Sequence, residues 1–103
     1  MTEKLFQGKW EITEMDAWKV KPGWTIEFDG SGNGALHFLY VDVYLDYSVD
    51  NKKSPNRADF SFSGSDECDE THGRGWVKVN GKSLTGNIAF HRGEKSGFKA
   101  QKK

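Results

Sequence analysis

Large apolar residues alternate with polar ones along most of this 103-residue chain, and this alternation limits the possible folds more than any other feature. Successive side chains of a β-strand point to opposite faces of the sheet, so a period of two is typical of half-buried strands. In residues 41–49, VDVYLDYSV, the odd positions hold Val, Leu and Tyr, and the even positions are mostly Asp and Ser. Residues 9–13, 24–29 and 58–62 repeat the pattern. The sequence therefore predicts an all-β protein.

Two local signals predict turns between the strands. The parity of the apolar positions changes near Tyr40, which indicates a bulge or a tight turn there. Asn80-Gly81 lies between two alternating runs and favours a type I′ hairpin turn centred on these two residues, since both need positive φ. The 12 glycines are assigned to turns, and only residues 2–8 are expected to form a helical turn.

Seven or eight strands of about five or six residues, with connections of about four to six residues, account for the length of the chain. One domain over residues 1–103 is expected, because the chain is too short for a second core. A sheet of this size removes its exposed edges by closing. We therefore predict a small single-domain antiparallel up-and-down β-barrel. Its interior is expected to hold many aromatic rings: Trp10, Trp24, Phe28, Phe38, Phe60, Phe62, Phe90 and Phe98.

Composition and charge exclude several classes of protein. Fifteen Lys and Arg balance fifteen Asp and Glu, so neither nucleic acid nor an anionic membrane surface is an expected partner. The single cysteine, Cys68, excludes an intrachain disulfide. Residues 1–5, MTEKL, lack the basic and apolar regions of a signal peptide, and no apolar run approaches the ~20 residues of a membrane span. A cytoplasmic location is expected.

Residues 64–76, GSDECDETHGRGW, are the most unusual stretch of the chain, and they do not match a known metal or catalytic pattern. The carboxylates lack EF-hand spacing, and Cys68 and His72 lack further ligands at the spacing of a zinc site. Neighbouring carboxylates also disfavour a reactive thiolate at Cys68. We assign no catalytic residue, metal or cofactor. The stretch is interpreted either as a solvated hairpin loop or as a docking surface.

The docking interpretation rests on the faces that the alternation predicts. If Val77 and Val79 face the core, Arg74 and Trp76 share the outer face, as in an interface hot spot, whereas a bulge after Gly75 would turn Trp76 inward. Segregated charge suits an oriented protein partner, so the first hypothesis is a non-catalytic module that binds a protein or a second copy of itself. Its candidate partner-binding residues are Asp42, Tyr44, Asp46, Asp66, Glu67, Asp69, Glu70, Arg74 and Trp76.

Residues 5–10, LFQGKW, resemble the opening of calycin barrels such as the lipocalins, fatty-acid-binding proteins and avidins, where Gly-x-Trp enters the first strand. The resemblance implies a calycin-like barrel in which Trp10 packs against an arginine from a late strand, a part that Arg92 is expected to play. The second hypothesis is therefore a binder of a small apolar or aromatic ligand. The irregular segment 16–23 is expected to cover a barrel mouth lined by Trp18, Trp24, Tyr40 and Tyr47.

A broader resemblance spans nearly the whole chain. The motifs Gly8-x-Trp10, Asp66-Glu67, Gly73-Arg74-Gly75-Trp76, Phe90-His91-x-Gly93 and Ser96-x-Phe98-x-Ala100 resemble a family of small uncharacterised bacterial proteins of about 100 residues. This chain has Gly-Glu at 93–94 where that family has Gly-Asp, which keeps the carboxylate. The resemblance implies a self-contained bacterial domain and brings no catalytic residues with it.

A third hypothesis is an enzyme that uses His72 or His91 as a general base beside a carboxylate. No nucleophile, cofactor fingerprint or metal-ligand spacing accompanies either histidine, so this hypothesis is the weakest of the three. His91 is expected instead at the end of a strand, bonded to the backbone of a neighbouring loop.

Overall fold

The computed structural model describes residues 6–49, 56–67 and 69–103, and within them the chain forms one closed antiparallel sheet. Each strand pairs with the next along the chain, and the last pairs with the first. The prediction of an up-and-down β-barrel is thus confirmed, with eight strands. They are β1 (Gly8–Met15), β2 (Thr25–Phe28), β3 (Asn33–Phe38), β4 (Val41–Val49), β5 (Arg57–Asp66), β6 (Asp69–Asn80), β7 (Ser83–Phe90) and β8 (Lys95–Lys102).

The described residues include no helix long and apolar enough to span a membrane. The predicted helical turn at residues 2–8 lies mainly outside the described part of the chain.

The interior of the barrel is filled by the apolar residues that the alternation places there. Along β4, odd positions from Val41 to Tyr47 are buried and the even positions between them are exposed. Of the eight rings predicted for the interior, Phe90 is partly buried and the others are buried. Phe6 and Tyr47 close the end of the barrel where β1 begins, which we call the Phe6 end. Trp18 lies at the opposite end, which we call the Trp18 end, where it contacts Phe38.

Glycines inside the strands make room for large rings, so the assignment of all glycines to turns was wrong. Phe60 and Phe62 on β5 lie directly opposite Gly75 and Gly73 on β6. A Cβ atom at Gly75 would lie 2.6 Å from Phe60 Cζ, and one at Gly73 would lie 2.6 Å from Phe62 Cζ. The missing side chains on β6 let both rings fit inside a narrow barrel.

The turn between β6 and β7 is shifted by one residue from its predicted position. Asn80 pairs with Ser83, so the two central residues are Gly81 and Lys82 rather than Asn80 and Gly81. Gly81 has a φ of 63°, which fits a type II′ turn with glycine first, because that turn needs positive φ only at its first central residue. The change of parity near Tyr40 corresponds to a two-residue turn formed by Leu39 and Tyr40. The tight turn, one of the two predicted alternatives, is therefore confirmed.

Trp10 is covered by a lysine, and the expectation that Arg92 packs against it was wrong. Trp10 is fully buried, and its Nε1–H donates to the carbonyl of Phe6 at 2.8 Å. The Nζ of Lys102 lies 4.8 Å from the centre of the indole ring, because Lys102 is the cross-strand partner of Trp10 on β8. Arg92 belongs to the β7–β8 turn at the Trp18 end, far from the Phe6 end where Trp10 lies.

Candidate functional site

Most of the acidic stretch 64–76 is strand, because β5 continues to Asp66 and β6 begins at Asp69, so the interpretation of the whole stretch as a hairpin loop was wrong. Strands β5 and β6 pair without interruption from Arg57 and Lys78 to Asp66 and Asp69. Asp66 and Asp69 are directly opposite each other, an arrangement that is unfavourable for two like charges. Glu67, with φ of 59°, opens the connection, and Cys68 lies outside the described residues.

This turn contacts the β3–β4 turn. The backbone N–H of Glu67 donates to the carbonyl of Tyr40 at 2.9 Å. Leu39, Tyr40 and Tyr44, which are 39%, 67% and 78% exposed, are the exposed large apolar side chains among the described residues, and all three belong to the β3–β4 hairpin. Tyr40 therefore belongs with the acidic turn rather than inside a barrel mouth.

We call this region the acidic tyrosine surface: Leu39, Tyr40, Asp42, Tyr44, Asp46 and Glu67. Asp42, Tyr44 and Asp46 are exposed on β4, as the sequence predicts. Asp66 and Asp69 are exposed at its rim, while Glu70 lies further round the barrel on β6.

A histidine that sequence reasoning missed lies beside this surface. His37 is the cross-strand partner of Asp42, and its Nδ1 lies 2.5 Å from Asp42 Oδ1. The signal was present in the sequence, because a two-residue turn at 39–40 pairs position 37 with position 42. An open groove of ≈ 750 Å³ lies on the outer face of β2, β3 and β4, and His37, Asp42 and Tyr44 form one side of it. The small side chains of Thr25 and Ala35 also line it.

Trp76 faces outward, as the burial of Val77 and Val79 requires, but it is not a free aromatic surface. It is half-buried, and the guanidinium carbon of Arg57 lies 4.9 Å from the centre of its ring. Arg57 also pairs with Asp59 at 3.0 Å.

Trp76 and the acidic tyrosine surface are separate. Tyr44 is level with His72 across β5, and Trp76 lies four residues further along β6, a distance of ~13 Å along the strand. Arg74, which is exposed on the same face, lies between these two levels.

Of the four residues predicted to line a barrel mouth, Trp18 and Trp24 are brought together, whereas Tyr40 and Tyr47 lie elsewhere. Trp18 packs on Phe38 with ring centres 5.1 Å apart, and Trp24 packs on the same ring at 5.7 Å. Tyr47 lies at the Phe6 end, where its hydroxyl accepts a hydrogen bond from the Gly30 N–H at 3.1 Å. The mouth at the Trp18 end is therefore occupied by the chain's own tryptophans, and a bound ligand in the barrel stays a prediction.

His72 and His91 form a stacked pair on the outer face, with ring centres 4.7 Å apart and an angle of 22° between the rings. The backbone N–H of His91 donates to the carbonyl of His72 at 2.9 Å. In the described part of the chain the histidine paired with a carboxylate is His37, so the predicted pairing of His72 or His91 with a general-base partner does not appear there. Among those same residues, no three His, Cys, Asp or Glu side chains cluster in a way that could hold a metal ion.

No protein-family model, curated protein or solved structure matches this chain. The fold and the surface of the molecule therefore carry the functional argument.

Proposed function

We propose that this protein is a non-catalytic interaction module that binds a basic segment of a partner protein through the acidic tyrosine surface. One observation carries the proposal. The exposed large apolar side chains of the described residues, Leu39, Tyr40 and Tyr44, all lie on one hairpin, and carboxylates alternate with them. Tyrosine supplies contact area with little loss of side-chain entropy, and it is enriched at interface hot spots.

The groove beside Tyr44 supports the same proposal. The outer face of a barrel is convex, whereas the groove gives a partner's side chains a concave place to insert. Its volume of ≈ 750 Å³ is enough for two or three side chains, and Lys9 and Glu27 line the side opposite Tyr44. Tyr44 then contacts the apolar stems of the inserted residues, and Asp42 and Asp46 pair with their cationic ends.

The charge distribution favours a basic partner over an apolar one. Asp42 and Asp46 flank Tyr44 on β4, and Glu67 lies beside Tyr40 at the end of the same hairpin. Within the described residues, the one ion pair that these three carboxylates form joins Asp42 to His37. Complementary charge speeds the encounter of two proteins and fixes their orientation, and its contribution falls as salt screens it. Binding through this surface should therefore weaken as ionic strength rises.

The test uses a fluorescent peptide of alternating lysine and leucine as the basic segment, with backbone NMR shifts to locate its binding. We expect shifts in residues 37–46 and 67, and a loss of affinity of about tenfold or more in Tyr44→Ser, the range of an interface hot spot. Asp42→Asn with Asp46→Asn should weaken binding and flatten its salt dependence.

The matched control removes two carboxylates elsewhere, with Glu11→Gln and Glu14→Gln on β1. This variant has the same net charge as the double aspartate variant and should bind the peptide as the wild type does. Equal losses in the two double variants, or shifts centred on Trp76, would contradict the proposal.

A further inference from the structure

A second cleft lies on the outer face of the barrel, near the Trp18 end, and its lining is cationic. It has a volume of ≈ 470 Å³ and lies where β6, β7 and the β7–β8 turn meet. Gly73, Ala89 and Phe90 form its uncharged part. The other lining residues all carry or can acquire a positive charge: His72, Arg74, His91, Arg92 and Lys95.

Among the residues that the structure describes, no carboxylate lines this cleft. Within the described residues, Arg74, Arg92 and Lys95 form no ion pair, although the chain as a whole has as many acids as bases. The nearest carboxylates along the chain are Glu70, two residues before His72 on the same strand, and Glu94, next to Lys95. Neither is part of the lining, so three permanent cations face the same space without compensation.

The pairing of β6 with β7 fixes this arrangement. Arg74 is the cross-strand partner of Ala89, and Ala89 is that of Lys95, so one small residue separates the two cationic side chains. The His91 N–H bond to His72 holds the stacked imidazoles at the end of the hairpin. Arg92 follows in the turn, and its φ of 58° is uncommon for a residue other than glycine.

The two histidines also line the cleft. Histidine is the residue type whose charge changes between pH 5 and 8, and two stacked cations repel each other unless an anion lies beside them. The charged groups on the elements around the pair are Glu70 and Arg74 on β6, Arg92 and Glu94 in the turn, and Lys95 on β8. The facing strand β5 presents the uncharged Ser63 opposite His72.

We propose that this cleft binds a small dianionic oxyanion, namely phosphate or the phosphate group of a small phosphomonoester. Arginine forms paired hydrogen bonds to such groups, and lysine adds a point charge. The size of the cleft and the zero net charge of the chain favour a small ligand over a nucleic acid backbone.

The first experiment titrates the full chain with sulfate at pH 5.5 and 7.5, with chloride keeping the ionic strength constant. Sulfate remains dianionic over this range, so any change of affinity with pH comes from the protein. We expect the ring protons of His72 and His91 to shift, with tighter binding at pH 5.5. Unshifted histidines, or an affinity that does not change with pH, would overturn the proposal.

Variants locate the site. Arg74→Gln should weaken sulfate binding about tenfold, the effect of losing one strong charge-assisted contact. Lys78→Gln is the matched control, because Lys78 faces outward on the same strand but does not line the cleft, and it should bind sulfate as the wild type does. Equal losses in both variants would show a general effect of net charge and would refute a built site.

Arg92→Gly keeps the test independent of folding, since glycine accepts the backbone conformation of Arg92 without strain. We expect this variant to keep the thermal stability of the wild type and to lose sulfate affinity. Unchanged affinity would remove Arg92 from the site and contradict the proposal as stated.

Inorganic phosphate and phenyl phosphate, measured at the same pH, distinguish the two sources of the anion. Tighter binding of phenyl phosphate supports a phosphomonoester, and equal binding supports free phosphate. Tyr44→Ser should leave all of these affinities unchanged, so the anion-binding proposal is tested independently of the proposed protein-binding surface.

Discussion

Lys102 should stabilise the barrel although it is the second residue from the end of the chain. Its Nζ lies 4.8 Å from the centre of the buried Trp10 ring and donates a hydrogen bond to the carbonyl of Gln7. Its side chain also crosses Gly8, because a Cβ atom there would lie 2.6 Å from Nζ. Lys102→Ala therefore removes a cation–π contact, a hydrogen bond and the cover over the start of β1.

The size of the effect follows from these contacts. A partly exposed cation–π contact contributes about 0.5–1 kcal/mol, and a hydrogen bond to an ammonium group at the surface about 1 kcal/mol. We expect Lys102→Ala to lower the free energy of unfolding by about 1.5–2 kcal/mol. In a domain of this size about 1 kcal/mol shifts Tm by about 4 °C, so Tm should fall by roughly 6–8 °C.

Urea and thermal unfolding followed by tryptophan fluorescence measure this change. Lys99→Ala is a matched control on the same strand, since its exposed pair with Glu14, at 3.6 Å, should contribute under about 0.5 kcal/mol. Arg92→Ala should also have little effect, because Arg92 lies at the other end of the barrel from Trp10. If Arg92→Ala were as destabilising as Lys102→Ala, or if Lys102→Ala matched Lys99→Ala, Lys102 would not stabilise the barrel through Trp10.

Three further changes test other parts of the fold. Gly75→Ala should destabilise the barrel by about 3 kcal/mol, measured by urea unfolding, since its Cβ would lie 2.2 Å from the Asn87 carbonyl oxygen. Trp18→Ala should cost about 2 kcal/mol and expose the rings at its end of the barrel to a hydrophobic dye. Asp29 accepts hydrogen bonds from the backbone N–H groups of Ser31 and Asn33, which lower the pKa of its carboxyl below 3.8. Its contribution is therefore present above the pKa of the unfolded chain and lost as the pH falls through the folded value, so acid should destabilise the wild type more than Asp29→Asn.

For each of these three substitutions, one result would contradict the expected effect. Gly93 lies in a turn without positive φ, and its nearest contact for an added Cβ is 3.1 Å, so Gly93→Ala should be far milder than Gly75→Ala. Unchanged dye binding in Trp18→Ala would mean that Trp18 does not cover the rings. Parallel acid unfolding curves for the wild type and Asp29→Asn would remove Asp29 as a source of pH dependence.

The barrel was predictable because the face of each residue depends only on parity. Val41, Val43 and Leu45 point inward whatever their cross-strand partners are, so the alternation identifies the core residues even when the register between strands is unknown. The strand glycines could not be assigned in the same way. Gly73 and Gly75 look like turn residues in the sequence, and their role depends on Phe62 and Phe60, which are more than ten residues away along the chain and opposite them in the sheet.

The histidine pair was hidden by an error in register. A turn centred on Asn80 and Gly81 would place His72 opposite Ala89, whereas the observed turn at Gly81 and Lys82 moves every partner by two residues and places His72 opposite His91. A shift of two preserves the face of every residue, so the predicted core was right while the predicted neighbours on the outer face were wrong. A binding cleft on a sheet depends on those neighbours.

The interior of this barrel and its outer face differ in the room that they leave for a ligand. An eight-stranded barrel is just wide enough for its own side chains or for one small molecule. Here Phe38 contacts Trp18, Trp24 and Phe90, so the rings of the chain use that space at one end. The outer face carries the unbalanced chemistry instead, with carboxylates around Tyr44 on β4 and cations around His72 on β6. Strand β5 separates the two with small side chains, Ser61, Ser63 and Ser65, which keep the acidic tyrosine surface and the cationic cleft apart. The two proposed sites therefore lie on neighbouring faces of one small barrel, and the ligands proposed for them have opposite charge.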